Sequence, residues 1–533
     1  MDNKLLLFLI CVSSNVVTEI GGVKEHTKAC HCEPKDTEKT TWLECSDVDQ
    51  YFRITEKDTA NCSHYKPNHL VIIDSDIPTL TAEFFGIIAF DQFNVVSFSS
   101  CGIRNITANA FSNFTRLKSL ILEDNELTEN TLTESLKSIT NLKIKTLNLD
   151  RNNFTIIKNE TFLSLGSHIT SLQLSDCGIE YIETDFLRWL PNLKKISLNN
   201  NALHEMNFLA IQNDKCRLHD VQIMYNSISN LDLFQRESTK PCIQSIESLS
   251  LTGNPVASLA PVNSLRNLRL LYAQSIPCNV KSKFPVFNAS LTVLYLDGSN
   301  FSCWRKDMFS RLKKFEFLSL KGTNFAHAPL NFTIQLFSEL NVETLILKNA
   351  GLRIIPDHMF RNITSLKNLD LSDNSISSWS TNAFSGPQLL VSVSLNNNNI
   401  SVIAKNSLPS VNHSLDLSNN PFLCSCVLVD FRLYFEHHKD ILMREPVGTY
   451  KCAKPLRLKD MDLQSFRPEY TDCNPFNPYV IVAFCTCASL IFITIVVNVI
   501  SACRERNATT IHMIRTLRRN VYHSLDENTS HEY

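Results

Sequence analysis

The chain has 533 residues, with 51 Lys and Arg against 53 Asp and Glu and a net charge of −2 at pH 7. A balance this even supplies no electrostatic drive toward nucleic acid or an acidic substrate, so a partner must be chosen by local surface. With only 12 Gly, no Gly-rich phosphate loop, no HExxH and no nucleophile placed beside a base, the chain does not read as an enzyme and no cofactor is expected.

Lys4 precedes the apolar run Leu5–Val12, and small and polar residues follow it. This is the pattern of a signal peptide, set at 1–17, and it is too short to cross a bilayer. Export makes disulfides the expected state of the 18 Cys. Cys30, Cys32, Cys45 and Cys62 fall in a predicted N-terminal cysteine cap at 18–69, with their pairing left open.

From there LxxLxLxxNxL recurs about every 24 residues, the signature of a leucine-rich-repeat solenoid in which each unit gives a short strand and a return loop. Its fourth position falls on Val96, Leu120, Leu147, Leu172, Ile196, Val221, Leu249, Leu271, Leu294, Leu318, Leu345, Leu369, Val393 and Leu415, with a degenerate unit around Leu70 and Ile73 before them. The fold class is an α/β solenoid, a leucine-rich-repeat horseshoe with disulfide caps and about 14–15 repeats over 70–420. Strand alternation turns the fourth and sixth positions inward and the third, fifth and seventh onto the concave face. A ninth-position Asn, at 125, 152, 201, 226, 254, 374, 398 and 420, turns inward to satisfy backbone groups of neighbouring turns. Cys101 and Cys177 take the same slot and read as buried thiols.

The Asn lapses in successive units, replaced by Ile276, Ser299, Thr323 and Ala350. In the same units the concave face turns apolar and aromatic: Leu270, Val293 and Phe317 at the third position, Tyr272, Tyr295, Ser319 and Ile346 at the fifth. Strands about 4.8 Å apart would make these one patch, flanked by Asp297, Lys321 and Lys348. Apolar patches with polar rims tend to be contact sites, so Leu270, Tyr272, Val293, Tyr295, Phe317, Lys321, Ile346 and Lys348 are the candidate ligand-binding residues. The bland alternative is that these side chains cover one another and bind nothing.

Cys216 with Cys242, and Cys278 with Cys303, lie about one repeat apart and are expected to form local bridges, or else to stay free thiols. Glycan acceptors are predicted at Asn105, Asn113, Asn153, Asn159, Asn288, Asn300, Asn331, Asn362, Asn399 and Asn412, none at a concave-facing position.

Asn420–Cys426, Tyr450–Pro455 and Cys473 make up a predicted C-terminal cap at 421–474. His437 and His438 within it read as a solvated helix face and not as a metal site. The cap resembles the cysteine-rich C-flanking module of extracellular leucine-rich-repeat proteins. That resemblance implies pairing of Cys424 with Cys452 and of Cys426 with Cys473.

Val480–Val497 has no charge and, with Asn498–Cys503, reaches the length a ~30 Å hydrocarbon core demands, which predicts one transmembrane helix at 479–503. Arg504, Arg506, Arg515, Arg518 and Arg519 follow it and mark the cytoplasmic side, so the chain reads as single-pass type I with the repeats outside. The tail, 504–533, is too short to bury a core of its own. Ile511, Ile514, Leu517, Val521 and Leu525 would form the apolar side of a short basic helix on the inner leaflet. Tyr522-His523-Ser524-Leu525 matches the YxxΦ sorting pattern through Tyr522 and Leu525.

Taken together, repeats, caps and span resemble the ectodomain group of Toll and Toll-like receptors, over residues from about 30 to 503. The resemblance implies a protein or microbial ligand, dimerisation or pairing with a TIR-bearing receptor, and a plasma or endosomal membrane location. The TIR domain of such receptors has no counterpart in the tail. That departure leaves a receptor-like co-receptor, decoy or partner of a signalling chain, with an adhesion or guidance protein, or a truncated form of a full Toll-like receptor, as the alternatives.

Overall fold

The computed structural model describes residues 30–35, 40–55, 62, 67–86, 90–140, 142–211, 216–277, 284–313, 315–404, 406–444, 448–467 and 478–526. The signal segment 1–17, Cys278, Cys473 and the end of the tail lie outside them. Two compact units divide the chain, one within Met1–Leu395 and Pro409–Leu415, the other within Asn396–Leu408 and Asp416–Tyr533.

The first unit is a run of short parallel strands, one per repeat, paired in chain order from Thr40–Ser46 to Ser392–Ser394. Fourth positions meet fourth positions: Val96 pairs with Leu120, Leu172 with Ile196, Leu271 with Leu294, Leu345 with Leu369. No fourth-position side chain from Val96 to Leu415 is more than 2 % exposed. Each contributes about 1.5–3 kcal/mol of burial before entropy is subtracted.

Two details add to the sequence reading. Leu70 pairs with Val96 and Ile72 with Phe98, so Ile72, fully buried, fills the sixth position, and Ile73 faces outward. The N-terminal cap also contains a strand of the same ladder, because Thr40–Ser46 runs parallel to His69–Ile73 with Leu43 opposite Leu70. The strand His31–Lys35 folds back antiparallel on it, tied by disulfides Cys30–Cys45 and Cys32–Cys62. The exposed end of the solenoid is thereby covered.

Where each strand ends, the chain turns through a left-handed residue at the eighth position: Asp47, Asp74, Ser100, Asp124, Arg151, Asp176, Asn200, Tyr225, Ser275, Asn349, Asp373, Asn397 and Asn419 all have positive φ. Short polar side chains tolerate that conformation and glycine takes it freely. Gly253, Gly298 and Gly322 do so here, at φ of 75°, 66° and 70°.

The ninth-position Asn then does what its chemistry allows. Asn374 accepts from the amides of Ala350 and Leu352 at 2.9 and 3.0 Å and donates to Leu347 O at 2.8 Å. Asn125 and Asn201 repeat the pattern one repeat back, onto Cys101 and Ile103, and onto Cys177 and Ile179. On the return loops a column of buried phenylalanines packs between repeats in tilted and edge-to-face contacts. Phe162 reaches Phe186, Phe186 reaches Phe208, and Phe337 reaches Phe360.

In the second unit, Phe422, Phe431, Phe435 and Tyr450 form the cap core. The Tyr450 hydroxyl accepts from Leu417 N at 3.0 Å and donates to Leu442 O at 3.1 Å. Cys424 is bonded to Cys452, and Cys426 is in a disulfide whose other half lies outside the described residues. A single helix follows, Pro478–Asp526, and its Val482–Arg519 portion contains a stretch of mean hydropathy 2.4, long and apolar enough to cross a membrane. The helix does not stop at 503, where the apolar run ends.

Candidate functional site

Strand pairing brings the candidate side chains into one row. Leu270 lies beside Val293 and Val293 beside Phe317, while Tyr272 lies beside Tyr295 and Ser319 beside Ile346. Tyr272 and Tyr295 stack with centroids 4.6 Å apart and planes 16° from parallel, and Phe317 leans on Tyr295 at 4.9 Å and 37°. The spacing is that of the strands themselves, so the backbone sets the stack. Ring faces are turned toward one another. The row presents their edges outward, plus the face of Tyr272 toward its strand-pair neighbour, the small Ser250.

Asp297 holds the row rather than flanking it as a free charge. Its carboxylate accepts from Gln274 Nε2 at 2.9 Å, from the Lys321 amide at 3.0 Å and from the Ser319 hydroxyl. Gln274 in turn accepts from Thr252 at 3.1 Å. Burial, then Tyr272 and Asp297, pushes the Tyr295 phenol up from its ordinary value. The phenol therefore stays neutral and remains a hydrogen-bond donor. Lys348 pairs with Asp373 at 3.0 Å, and this hydrogen-bonded partner raises its pKa. Lys321 is exposed.

The ladder lapse coincides with this row and changes the bonding beneath it. Ser299 N and Thr323 N turn back onto their own strand ends, to Leu296 O at 3.2 Å and Leu320 O at 3.1 Å, instead of meeting a neighbouring Asn. The Ser299 and Thr323 hydroxyls are buried and unpartnered. Ser299 and Thr323 thus make none of the side-chain bonds to a neighbouring turn that the ladder Asn makes.

The structure adds one residue that sequence reasoning missed. Tyr225 occupies the left-handed eighth position at φ 53° and is 58 % exposed. Its ring lies over Gly253, where a Cβ would come within 2.4 Å of it. An aromatic in a slot otherwise held by Asp, Asn, Ser, Arg or Gly was the available signal.

The remaining predicted residues are not part of the row. Cys216 is bonded to Cys242, and Cys303 is in a disulfide whose other half lies outside the described residues. Cys101 and Cys177 are free and buried, each thiol pushed up to about 12 chiefly by burial. Asn105, Asn113, Asn153, Asn300, Asn331, Asn362, Asn399 and Asn412 are exposed, whereas Asn159 and Asn288 are half-buried. Tyr522 and Leu525 lie within the long helix. His438 stacks on Tyr434 at 4.0 Å and His437 contacts its own helix at Leu433 O, and no metal-holding cluster occurs among the described residues.

Comparison with known proteins matches the geometry. A leucine rich repeat profile fits residues 341–400, and a BspA-type leucine rich repeat region profile fits 83–213 and 124–239. Mouse CD180 antigen is 26 % identical over 368 residues, covering 67 % of this chain and 51 % of that protein. Human Toll-like receptor 8 is 27 % identical over 221 residues, covering 40 % of the chain and 19 % of the receptor. The chain is a leucine-rich-repeat protein similar to Toll-like ectodomains. It spans about half the length of the CD180 relative. A leucine-rich-repeat protein of Leptospira interrogans superposes with a TM-score of 0.50 at 19 % identity, over 74 % of this chain and 93 % of that one, a likeness of fold. Between Leu270 and Lys348 the sheet face of this scaffold carries the stacked rings of Tyr272, Tyr295 and Phe317.

Proposed function

We propose that this chain is a single-pass receptor-like protein of Toll-like type, with its repeats outside the cell, that binds an extracellular protein ligand and acts as co-receptor, decoy or partner of a signalling chain. The observation that carries the reading is the Tyr272–Tyr295–Phe317 stack on the open sheet face, beside the exposed Lys321. Rigid aromatic rings bury much area at small entropic cost, which is why they serve as anchors. Lys321 suits an acidic side chain on the partner. The arginines that follow the apolar stretch support the orientation, and similarity to CD180 and Toll-like receptors supports the receptor class.

Proximity labelling from the full-length protein on cells, with and without Tyr272→Ser and Tyr295→Ser, tests it. Recovery of a TIR-bearing receptor or a soluble ligand, lost in the double variant at unchanged surface display, is the expected result. Recovery only of proteins on opposing cells would make the chain an adhesion protein. Recovery unchanged by the substitutions would remove the row from the binding surface.

A further inference from the structure

We propose that the helical segment Arg504–Arg519 is a docking surface for the anionic lipid leaflet bordering the span. The helix runs without a break from Pro478 to Asp526, so the segment is covalently continuous with the apolar stretch and begins at its edge. At about 1.5 Å per residue its sixteen positions reach roughly 24 Å, and docking requires a bend where the apolar stretch ends, so that the segment turns from the line of the span onto the leaflet.

The segment offers lipid both things it recognises. Ile511, Ile514 and Leu517 recur at helical spacing and are 53 %, 57 % and 61 % exposed, an apolar stripe left open among the described residues. Arg504, Arg506, Arg515, Arg518 and Arg519 face a single acid, Glu505, over the same stretch. His512, Arg515, Thr516, Arg518 and Arg519 lie together on the exposed helix, where the arginines can reach phosphate oxygens.

The polar groups that would oppose burial are already satisfied. Thr509 donates to Glu505 O, Thr510 to Arg506 O and Thr516 to His512 O, each at 2.7 Å, so no hydroxyl loses a partner when the stripe meets acyl chains. Arginine carries its charge on a long apolar stem, which lets Arg518, next to Leu517, reach headgroups while its stem lies in the interface. Charge complementarity and tethering at the membrane edge both favour the leaflet over an acidic protein groove.

The test uses the full-length chain in nanodiscs of phosphatidylcholine alone or mixed with phosphatidylserine, with a fluorescent amino acid in place of Leu517 or of His512 and nitroxide-labelled lipid as quencher. The expected result is quenching at position 517 that appears with phosphatidylserine, weakens with salt and exceeds that at 512. Replacing Arg515, Arg518 and Arg519 by Gln, which keeps the helix, should weaken it by roughly five-fold per arginine. Equal quenching in both lipids, or a water-exposed position 517 in anionic discs, overturns the proposal. So does a segment that stays in water while binding an acidic protein.

Discussion

At the scale of single residues, two side chains in the same slot of different repeats show what the ninth position contributes. Asn374 bonds backbone groups of two turns, so Asn374→Ala should cost about 1–3 kcal/mol. Thr323 has a buried hydroxyl with no partner, and Thr323→Val should leave stability unchanged or raise it slightly. Urea unfolding of the two variants checks both. Cys101 and Cys177 set a pH dependence: burial raises each thiol from an ordinary 9.0 to about 12, so the neutral form is favoured in the folded chain. A raised folded pKa gives stability that is complete below about 9 and is lost as pH climbs toward about 12, because the unfolded chain gives up its proton first. Thiol alkylation at pH 8 should spare both residues until the chain is unfolded. That these cysteines were buried was readable, since the repeat assigned them to the ladder. The positive φ of Tyr225 becomes legible only once the eighth position is known as a left-handed turn, a slot that Asp, Asn or Gly fills in most other repeats.

At the scale of elements, legibility followed the period. Wherever LxxLxLxxN is intact, the inward positions and the strand register were fixed by alternation, and the columns of the aromatic row fell where the pattern put them. The unit around Leu70 and Ile73 carried no assigned register, since Leu70–Ile73 is apolar throughout and alternation gives no guide; pairing turns Leu70 and Ile72 inward. The strand Thr40–Ser46 lacks the leucine signature, and its membership of the sheet rests on pairing with His69–Ile73. Cap pairing among Cys30, Cys32, Cys45 and Cys62 needed geometry, because four cysteines admit several connectivities. The Phe column was present as Ala110-Phe111, Thr161-Phe162 and Met359-Phe360, but its place in the return loop becomes clear only when repeats stack. Asp297 matters at this scale because it links strands through Gln274, Ser319 and the Lys321 amide. Asp297→Ala should leave the fold intact while loosening the row, and hydrogen exchange at the Lys321 amide should quicken by about ten-fold, the equivalent of one lost charge-assisted bond.

At the scale of the whole molecule, sugar and membrane bound what the sheet face can meet. Glycans are expected at the exposed acceptors. Low occupancy is expected at Asn288, whose side-chain amide donates to Asn263 O and is half-buried. Site-by-site mass spectrometry of the cell-surface protein reads this directly. No predicted acceptor falls on the sheet face, which leaves the row from Leu270 to Lys348 open. Photo-crosslinking from that row tests the central claim most directly, with a benzophenone amino acid placed at Tyr295, at Gln173 on the regular sheet face, or at Tyr181 on the return side of the full-length protein on cells. The account predicts a partner adduct from position 295 and little from 173 or 181. Adducts from 173 or 181 with none from 295 would contradict it.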